Sequence, residues 1–293
     1  MGKLRTEGTK WFAGLKVKDI TKEPAQAVFH AGCALRYDRD LQNNVRSVIS
    51  ILINAGIDIG IMGESENCCG GRAHDMGYKE EFTKGARNNI KAWTEADVKM
   101  IVTSCAHCYH AIKRYYKKLG LDIPVVHTVE LIDQLIKENK ITLTKNVPLK
   151  VTYHDPCHLG RLGEPYVPWN GTKKKVFNQI TKHEPPMPRY LGARGIYEPP
   201  RNVLKAIPGI QIIEMERIKE YSWCCGAGGG VRESYPEFAS WTGLQRLEEA
   251  KSTGAEAIVT TCPWCERNFI DSTKTDGQQI QVYDIIDLVK EAI

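Results

Sequence analysis

The sequence predicts an α/β protein of two related lobes with parallel-sheet, Rossmann-like cores, and three observations carry that expectation. Short apolar runs alternate with amphipathic stretches of helical spacing from Gln26 to the C-terminus, the pattern of strands joined by crossover helices. The 10 cysteines all fall into two copies of one arrangement, a lone cysteine, a Cys-Cys-Gly and a Cys-x-x-Cys. Each cysteine group also follows a predicted strand, and open α/β sheets bind ligands at strand C-terminal ends. Two such lobes are expected to face each other across a pseudo-twofold axis, with the cysteines at their interface.

The elements follow in order. Residues 1–25 are polar apart from Trp11 and Phe12 and read as an N-terminal arm. The first lobe, 26–147, opens with the strand Ala27-Val28-Phe29-His30, which delivers Cys33. Apolar residues at Val45, Val48, Ile49 and Leu52 give a helix over 41–55, closed by Gly56. Residues 57–62 form a strand leading to Cys68-Cys69-Gly70, and a helix over 78–96 follows. Met100-Ile101-Val102-Thr103 is a strand ending in Cys105-Ala106-His107-Cys108, whose helix runs on through Tyr115. The strand Pro124-Val125-Val126 and an amphipathic helix over 129–137 close the lobe.

The second lobe, 148–293, repeats this grammar. Residues 149–153 form a strand feeding Cys157, 200–206 a helix, and 210–213 a strand before Cys224-Cys225-Gly226. A helix over 238–251, the strand Ala257-Ile258-Val259-Thr260, Cys262-Pro263-Trp264-Cys265 and a final unit at 282–292 complete it. The repeats differ at 163–194, an insertion with Pro165, Pro168, Pro185, Pro186, Pro188 and Lys173-Lys174-Lys175. It is basic, proline-rich and too long for an ordinary connector.

Composition narrows the function classes. With 293 residues, 42% hydrophobic and 26% charged, the chain is a soluble globular protein of one large or two ordinary domains. The net charge of +5 gives a weak bias towards acidic partners. Without an arginine-rich stripe or an aromatic-studded basic run, it is no nucleic-acid footprint. No apolar run reaches the length of a membrane span. Met1-Gly2-Lys3-Leu4-Arg5-Thr6 is basic but lacks the apolar core of a secretion signal, so a cytoplasmic protein is expected. In that reducing compartment clustered cysteines bind metal or do redox work instead of forming disulfides.

A Cys-x-x-Cys at a helix start aims two thiolates at one centre, where exposed helix N–H groups favour their charge. Zinc closes with four ligands, whereas each copy here offers five, and adjacent cysteines diverge around a single tetrahedral ion. A polynuclear centre accepts such a pair, and the glycines after it let the backbone come close. Iron–sulfur clusters are favoured on this reasoning, with zinc and redox-only thiols as the alternatives.

The doubled pattern resembles the CCG-domain proteins over about 26–293, most of all the catalytic B subunit, or the C-terminal half of the D subunit, of heterodisulfide reductase. The most telling segments are Tyr153-His154-Asp155-Pro156-Cys157-His158-Leu159-Gly160-Arg161, Tyr197-Glu198-Pro199-Pro200-Arg201 and Trp223-Cys224-Cys225-Gly226-Ala227-Gly228-Gly229-Gly230-Val231-Arg232. The resemblance implies two noncubane [4Fe-4S] clusters. One falls to Cys33, Cys68, Cys69, Cys105 and Cys108, the other to Cys157, Cys224, Cys225, Cys262 and Cys265. It also implies an oxidoreductase that breaks or makes sulfur–sulfur bonds between the clusters. D-type chains begin with ferredoxin-like cysteine motifs that are missing here. Electrons are therefore expected to pass through a separate ferredoxin-like C-type subunit and a flavin-containing A-type subunit. The insertion is similar to that of B-type subunits in heterodisulfide reductase-like complexes of sulfur oxidisers, which points to a lipoate-binding sulfur carrier. The rival readings are an electron-relay subunit of a flavin-dependent hydroxy-acid dehydrogenase and a zinc-bound scaffold.

Histidines are the candidate catalytic groups. His158 directly follows a lone cysteine and is placed to protonate a leaving thiolate, and His154, three residues before it, is the second candidate. Either instead hydrogen-bonds cluster sulfur or backbone. His30, His107 and His110 flank the first set and are read as structural, while Arg161 and Arg232 are candidates for holding a substrate carboxylate.

Overall fold

Each half of the chain builds its own parallel sheet in the computed structural model, which describes residues 11–165, 167–276 and 280–293. In the first half β1 (Lys18–Asp19), β2 (Ala27–Phe29), β3 (Ile59–Ile61), β4 (Met100–Thr103) and β5 (Val125–His127) lie in the order β1-β3-β2-β4-β5. Every pairing is parallel. The strands are short and β2 and β3 are buried throughout, as a sheet covered by helices on both faces requires. The covering helices are α1 (Gly32–Tyr37), α2 (Gln42–Asn54), α3 (Gly71–Asp75), α4 (Lys79–Glu95), α5 (Ala106–His110) and α6 (Thr128–Lys137).

The second half contains β6 (Leu149–Tyr153), β9 (Ile210–Ile212), β10 (Ala257–Thr260) and β11 (Gln281–Asp284), again all parallel, in the order β11-β10-β6-β9. Its helices are α7 (Glu198–Ala206), α8 (Val231–Ser234), α9 (Pro236–Ser252), α10 (Pro263–Asp276) and α11 (Ile285–Ala292). Read from the strand before each Cys-Cys pair, the orders β3-β2-β4-β5 and β9-β6-β10-β11 are the same. The strand before the lone cysteine is central in both. It continues onto its neighbour in the same way: His30 N donates to Val102 O at 2.8 Å, and His154 N to Val259 O at 2.8 Å. In this order the chain steps to one side of the central strand and then crosses to the other. The loops after β2 and β4, and after β6 and β10, therefore diverge and open a crevice.

The two-lobed α/β class read from the sequence is the one found. The lobes share one apolar core. Helix α2 packs on α11 and α6 on α7, and the backbone N–H groups of Thr144 and Lys145 donate to Ala292 O at 2.9 and 3.0 Å.

Two segments differ from expectation. The later part of the stretch read as an arm is built into the first lobe. Lys18–Asp19 is the edge strand β1, and Trp11 is 1% exposed. The first ten residues of that arm lie outside the described residues. The insertion forms an antiparallel hairpin, β7 (Thr172–Val176) and β8 (Ile180–Glu184), turning through Phe177 and Asn178 with φ of 50° and 53°. Its base is closed by the buried carboxylate of Glu164, which accepts the N–H of Gly192 and of Arg194 Nε, each at 2.8 Å.

A buried charge cluster fixes the second lobe around Cys157. Arg201 on α7 is 3% exposed and donates to both oxygens of Asp155 at 2.8 and 3.0 Å and to Glu214 at 2.6 and 3.1 Å. Asp155 also accepts the backbone N–H of Lys219 at 2.8 Å, tying the approach to Cys157 to the approach to Cys224. Removing one partner of a buried pair leaves an uncompensated charge. Arg201→Met is therefore expected to destabilise the protein by about 3–5 kcal/mol, read from the denaturant unfolding midpoint.

Candidate functional site

All the cysteines sit past strand C-terminal ends, and the two sheets present those ends to each other. Cys33 lies in α1 after β2, Cys68 and Cys69 between β3 and α3, and Cys105 and Cys108 at the start of α5 after β4. Cys157 follows β6, Cys224 and Cys225 precede α8, and Cys262 and Cys265 begin α10 after β10. Their burial repeats position by position. Cys33 and Cys157 are half-buried, Cys68 and Cys224 exposed, and the remaining six buried, all as free thiols.

Within the first set Cys33 interacts with Cys68, Cys68 with Cys69, Cys69 with Cys108, and Cys108 with Cys105. The second set repeats the chain through Cys157, Cys224, Cys225, Cys265 and Cys262. The two runs meet where Cys105 interacts with Cys262. The structure thus brings each five-cysteine set together and joins the sets at the lobe interface.

Electrostatics shows what this arrangement is suited to hold. The contact with Cys68, together with burial, pushes Cys33 well up, and the same contact holds Cys68 well down. Cys157 and Cys224 form an equivalent pair. One thiolate is tolerated at each such contact, and further negative charge in the same dry volume is opposed unless a cation enters. Ten soft donors crowded in this way fit metal centres with sulfur ligation.

Backbone around each set is shaped for close approach. Gly70 and Gly226 have φ of 70° and 92°, and their N–H groups point at Cys68 Sγ (3.4 Å) and Cys224 Sγ (3.3 Å). Gly32 has φ of 73°, and a Cβ there would lie 2.7 Å from Cys108 Sγ. The carboxylate of Glu66, 5% exposed, accepts the N–H groups of Ala31 (3.1 Å) and Gly32 (2.8 Å) and so sets the loop that carries Cys33. Tyr116 Oη donates to Cys69 O at 2.9 Å, and Asn268 Nδ2 to Cys225 O at 2.6 Å.

A cavity opens against the second set, lined by Cys157, Cys224, Cys225, Cys262 and Cys265 and by Arg72, His107, His158 and Trp264. His158 Nδ1 is 3.3 Å from Cys157 Sγ, and its ring stacks on that of His107 with centroids 4.2 Å apart. Asp75 serves both rings, with Oδ2 at 2.9 Å from His107 Nε2 and 3.8 Å from His158 Nε2. Burial raises the Asp75 carboxyl, but hydrogen bonds to His107 and His158 outweigh it and hold the group well below the usual carboxylate range. His107 belongs to the first lobe and His158 to the second, so Asp75 couples the two sides of the cavity. Arg72 lies over the Trp264 ring at 4.4 Å and pairs with Glu233, also across the lobes.

His154 is placed differently from His158. It is 1% exposed, sits behind the second set next to Arg246 and does not line the cavity. His110 Nδ1 donates to Leu162 O at 2.8 Å, and burial pushes its pKa down to about 3. Arg161 donates to Glu220 O (2.7 Å) and Ser222 O (2.9 Å), while Arg232 pairs with Asp271 at 2.5 Å. Arg161 is thus committed to holding the loop before Cys224. Asp75, Glu66, Arg72, Trp264 and Arg246 are the residues that sequence reasoning missed. Glu66 and Trp264 sit within the cysteine motifs and were visible there, but Asp75, Arg72 and Arg246 acquire meaning only from contacts across the fold.

Fold and site together define a two-lobed α/β protein with a doubled cysteine site for metal centres. The chain belongs to the CCG family of cysteine-rich domains, whose pattern matches residues 27–113 and 187–270. It is 33% identical over 92% of its length to the D subunit of the dihydromethanophenazine:CoB–CoM heterodisulfide reductase of Methanosarcina acetivorans, covering 60% of that protein. It is 30% identical over 94% of its length to the probable iron-sulfur-binding oxidoreductase FadF of Bacillus subtilis, covering 36% of it. An EtfAB:quinone oxidoreductase of Syntrophomonas wolfei is 30% identical over 91% of this chain and 34% of that one. The chain thus spans only part of the length of these relatives.

Because Gly32 holds a left-handed backbone against Cys108, Gly32→Ala is expected to cost about 1–2 kcal/mol from backbone strain alone. The same variant should lose metal from the first set and keep it in the second, as read by metal analysis alongside the unfolding curve.

Proposed function

We propose that this chain is the catalytic iron–sulfur unit of a heterodisulfide reductase-like oxidoreductase of the cytoplasm. Cys33, Cys68, Cys69, Cys105 and Cys108 hold one noncubane [4Fe-4S] cluster, and Cys157, Cys224, Cys225, Cys262 and Cys265 hold the other. The observation that carries this reading is the meeting of the two complete sets at Cys105 and Cys262, beside a cavity floored by cysteines. When bound, the clusters supply one electron each to a sulfur–sulfur bond, and the reverse reaction forms such a bond. The relative named as a heterodisulfide reductase component supports the assignment.

The side chains of the cavity prepare that exchange. His158, with Nδ1 3.3 Å from Cys157 Sγ and its ring lining the cavity, is placed to give a proton to a departing thiolate. Asp75 fixes the His158 and His107 rings from the other lobe, and Trp264 with Arg72 walls the cavity against water. Electrons pass to or from a ferredoxin-like C-type subunit and a flavin-containing A-type subunit. The basic hairpin, with Lys173, Lys174, Lys175 and Lys182, is suited to an acidic lipoate-binding sulfur carrier. The relative named as a quinone oxidoreductase favours one second reading, an electron relay that does no sulfur chemistry.

Anaerobic analysis is expected to find about eight irons and as many acid-labile sulfides per chain. Cys225→Ala should lower both by half; zinc without sulfide would exclude clusters. His158→Ala is expected to slow disulfide–thiol interconversion by about 100-fold with the iron content unchanged, as general acid catalysis predicts. A fully loaded wild-type chain inert towards thiols and disulfides, but passing electrons between a flavoprotein and a quinone, would select the relay.

A further inference from the structure

Each repeat places a histidine three residues before its lone cysteine, His30 before Cys33 and His154 before Cys157. Both are 1% exposed, leave the central strands on equivalent backbone hydrogen bonds, and stay out of the cavity that contains His158. His154 Nδ1 lies 3.3 Å from Arg246 Nε. A guanidinium has donors and no acceptor, so Nδ1 is the bare nitrogen and the ring proton sits on Nε2. Arg246 is pinned in that orientation by Glu249 Oε2 at 2.6 Å and Ser222 Oγ at 3.1 Å. The Nε2–H has no acceptor among the described residues. Buried donors are almost always paired, and a ring nitrogen here lies within 4.8 Å of the sulfurs of Cys225 and Cys265.

Taking the cluster reading above as given, we infer that His154 Nε2–H donates a hydrogen bond to sulfur of the centre held by Cys225 and Cys265, and thereby raises its reduction potential. Hydrogen bonds to cluster sulfur withdraw electron density and stabilise the reduced state. His154 is on this account a positioning residue, and Arg246 acts through it by fixing the tautomer. The first repeat has the histidine, with a ring nitrogen within 4.8 Å of the Cys69 and Cys108 sulfurs, but not the guanidinium that fixes its tautomer. His30 Nδ1 faces the carboxylate of Glu66 at 3.9 Å in place of a guanidinium, an acceptor that draws the ring proton to Nδ1 and leaves Nε2 bare, and among the described residues neither ring nitrogen has a hydrogen-bond partner. The two centres are therefore inequivalent although their cysteine sets match, and these histidines make the second the more easily reduced.

An anaerobic redox titration followed by electron paramagnetic resonance tests this on the wild-type chain, His154→Leu and His154→Gln, with Cys225→Ala identifying the second centre's signal. His154→Leu is expected to move that centre's midpoint to lower potential while iron and sulfide stay at the wild-type level. His154→Gln, which keeps an N–H donor, should restore much of the shift, and the first centre should not move in either. Equal midpoints in all three chains overturn the inference. Loss of the second centre's iron from both variants also overturns it, since His154 would then be a ligand and not a donor. A wild-type chain without iron and sulfide sinks the cluster reading itself, and this inference with it.

Discussion

Mutual repulsion among crowded thiolates is the constraint on which this structure depends. Six of the ten sulfurs are buried, and the two sets interact through Cys105 and Cys262. In such a volume each added negative charge costs more than the last, so the metal-free array is stable only with most thiols protonated. A bound metal centre reverses the balance by supplying the positive charge. Holding that array open for the metal falls to the rigid surroundings: two parallel sheets, each with its central strand buried at the end that leads to the lone cysteine, and loops whose turns are fixed by Gly32, Gly70 and Gly226.

Duplication solves the placement problem, and the contacts behind each set show where the copies have diverged. Arg36 and Arg161 do the same work, donating to the carbonyls of Glu66 and Ser222, two residues before the Cys-Cys pairs. The carboxylates differ. Glu66 holds the loop before Cys33 directly through backbone N–H groups, whereas in the second lobe Asp155 reaches Arg201 and Lys219 from the lone-cysteine side. Equivalent donor sets thus sit in unequal electrostatic surroundings.

The interface between lobes is held by polar locks as well as by packing. Asn44 donates to Glu266 at 3.1 Å, Arg267 reaches Asp40 at 2.7 Å, and His110 donates to Leu162 O at 2.8 Å. With Arg72–Glu233 and the stacked rings of His107 and His158, these contacts surround the junction of the cysteine sets on several sides. Rearrangement of one lobe against the other would break several of them at once, so the cavity walls are set before any substrate arrives.

Much of this was legible in the sequence because its signals are local and periodic. Strands such as Ala27–Phe29 and Ala257–Thr260 show as apolar runs ending at cysteines, and the doubled cysteine pattern announces the doubled fold. The repeat itself divides the 10 cysteines into two sets of five. The hairpin at 172–184 was hidden because three consecutive lysines read as a charge run, although they alternate across an exposed two-stranded ribbon that needs no apolar face. Lys18–Asp19 was hidden because a two-residue edge strand has no period. Tertiary structure alone decided that Asp75 joins His107 to His158 and that Arg246 sets the His154 tautomer. It also decided that Cys105 meets Cys262. Each of these is a contact between residues far apart in the chain, made only when both sheets have twisted their strand ends towards one place, and no spacing along the sequence encodes it.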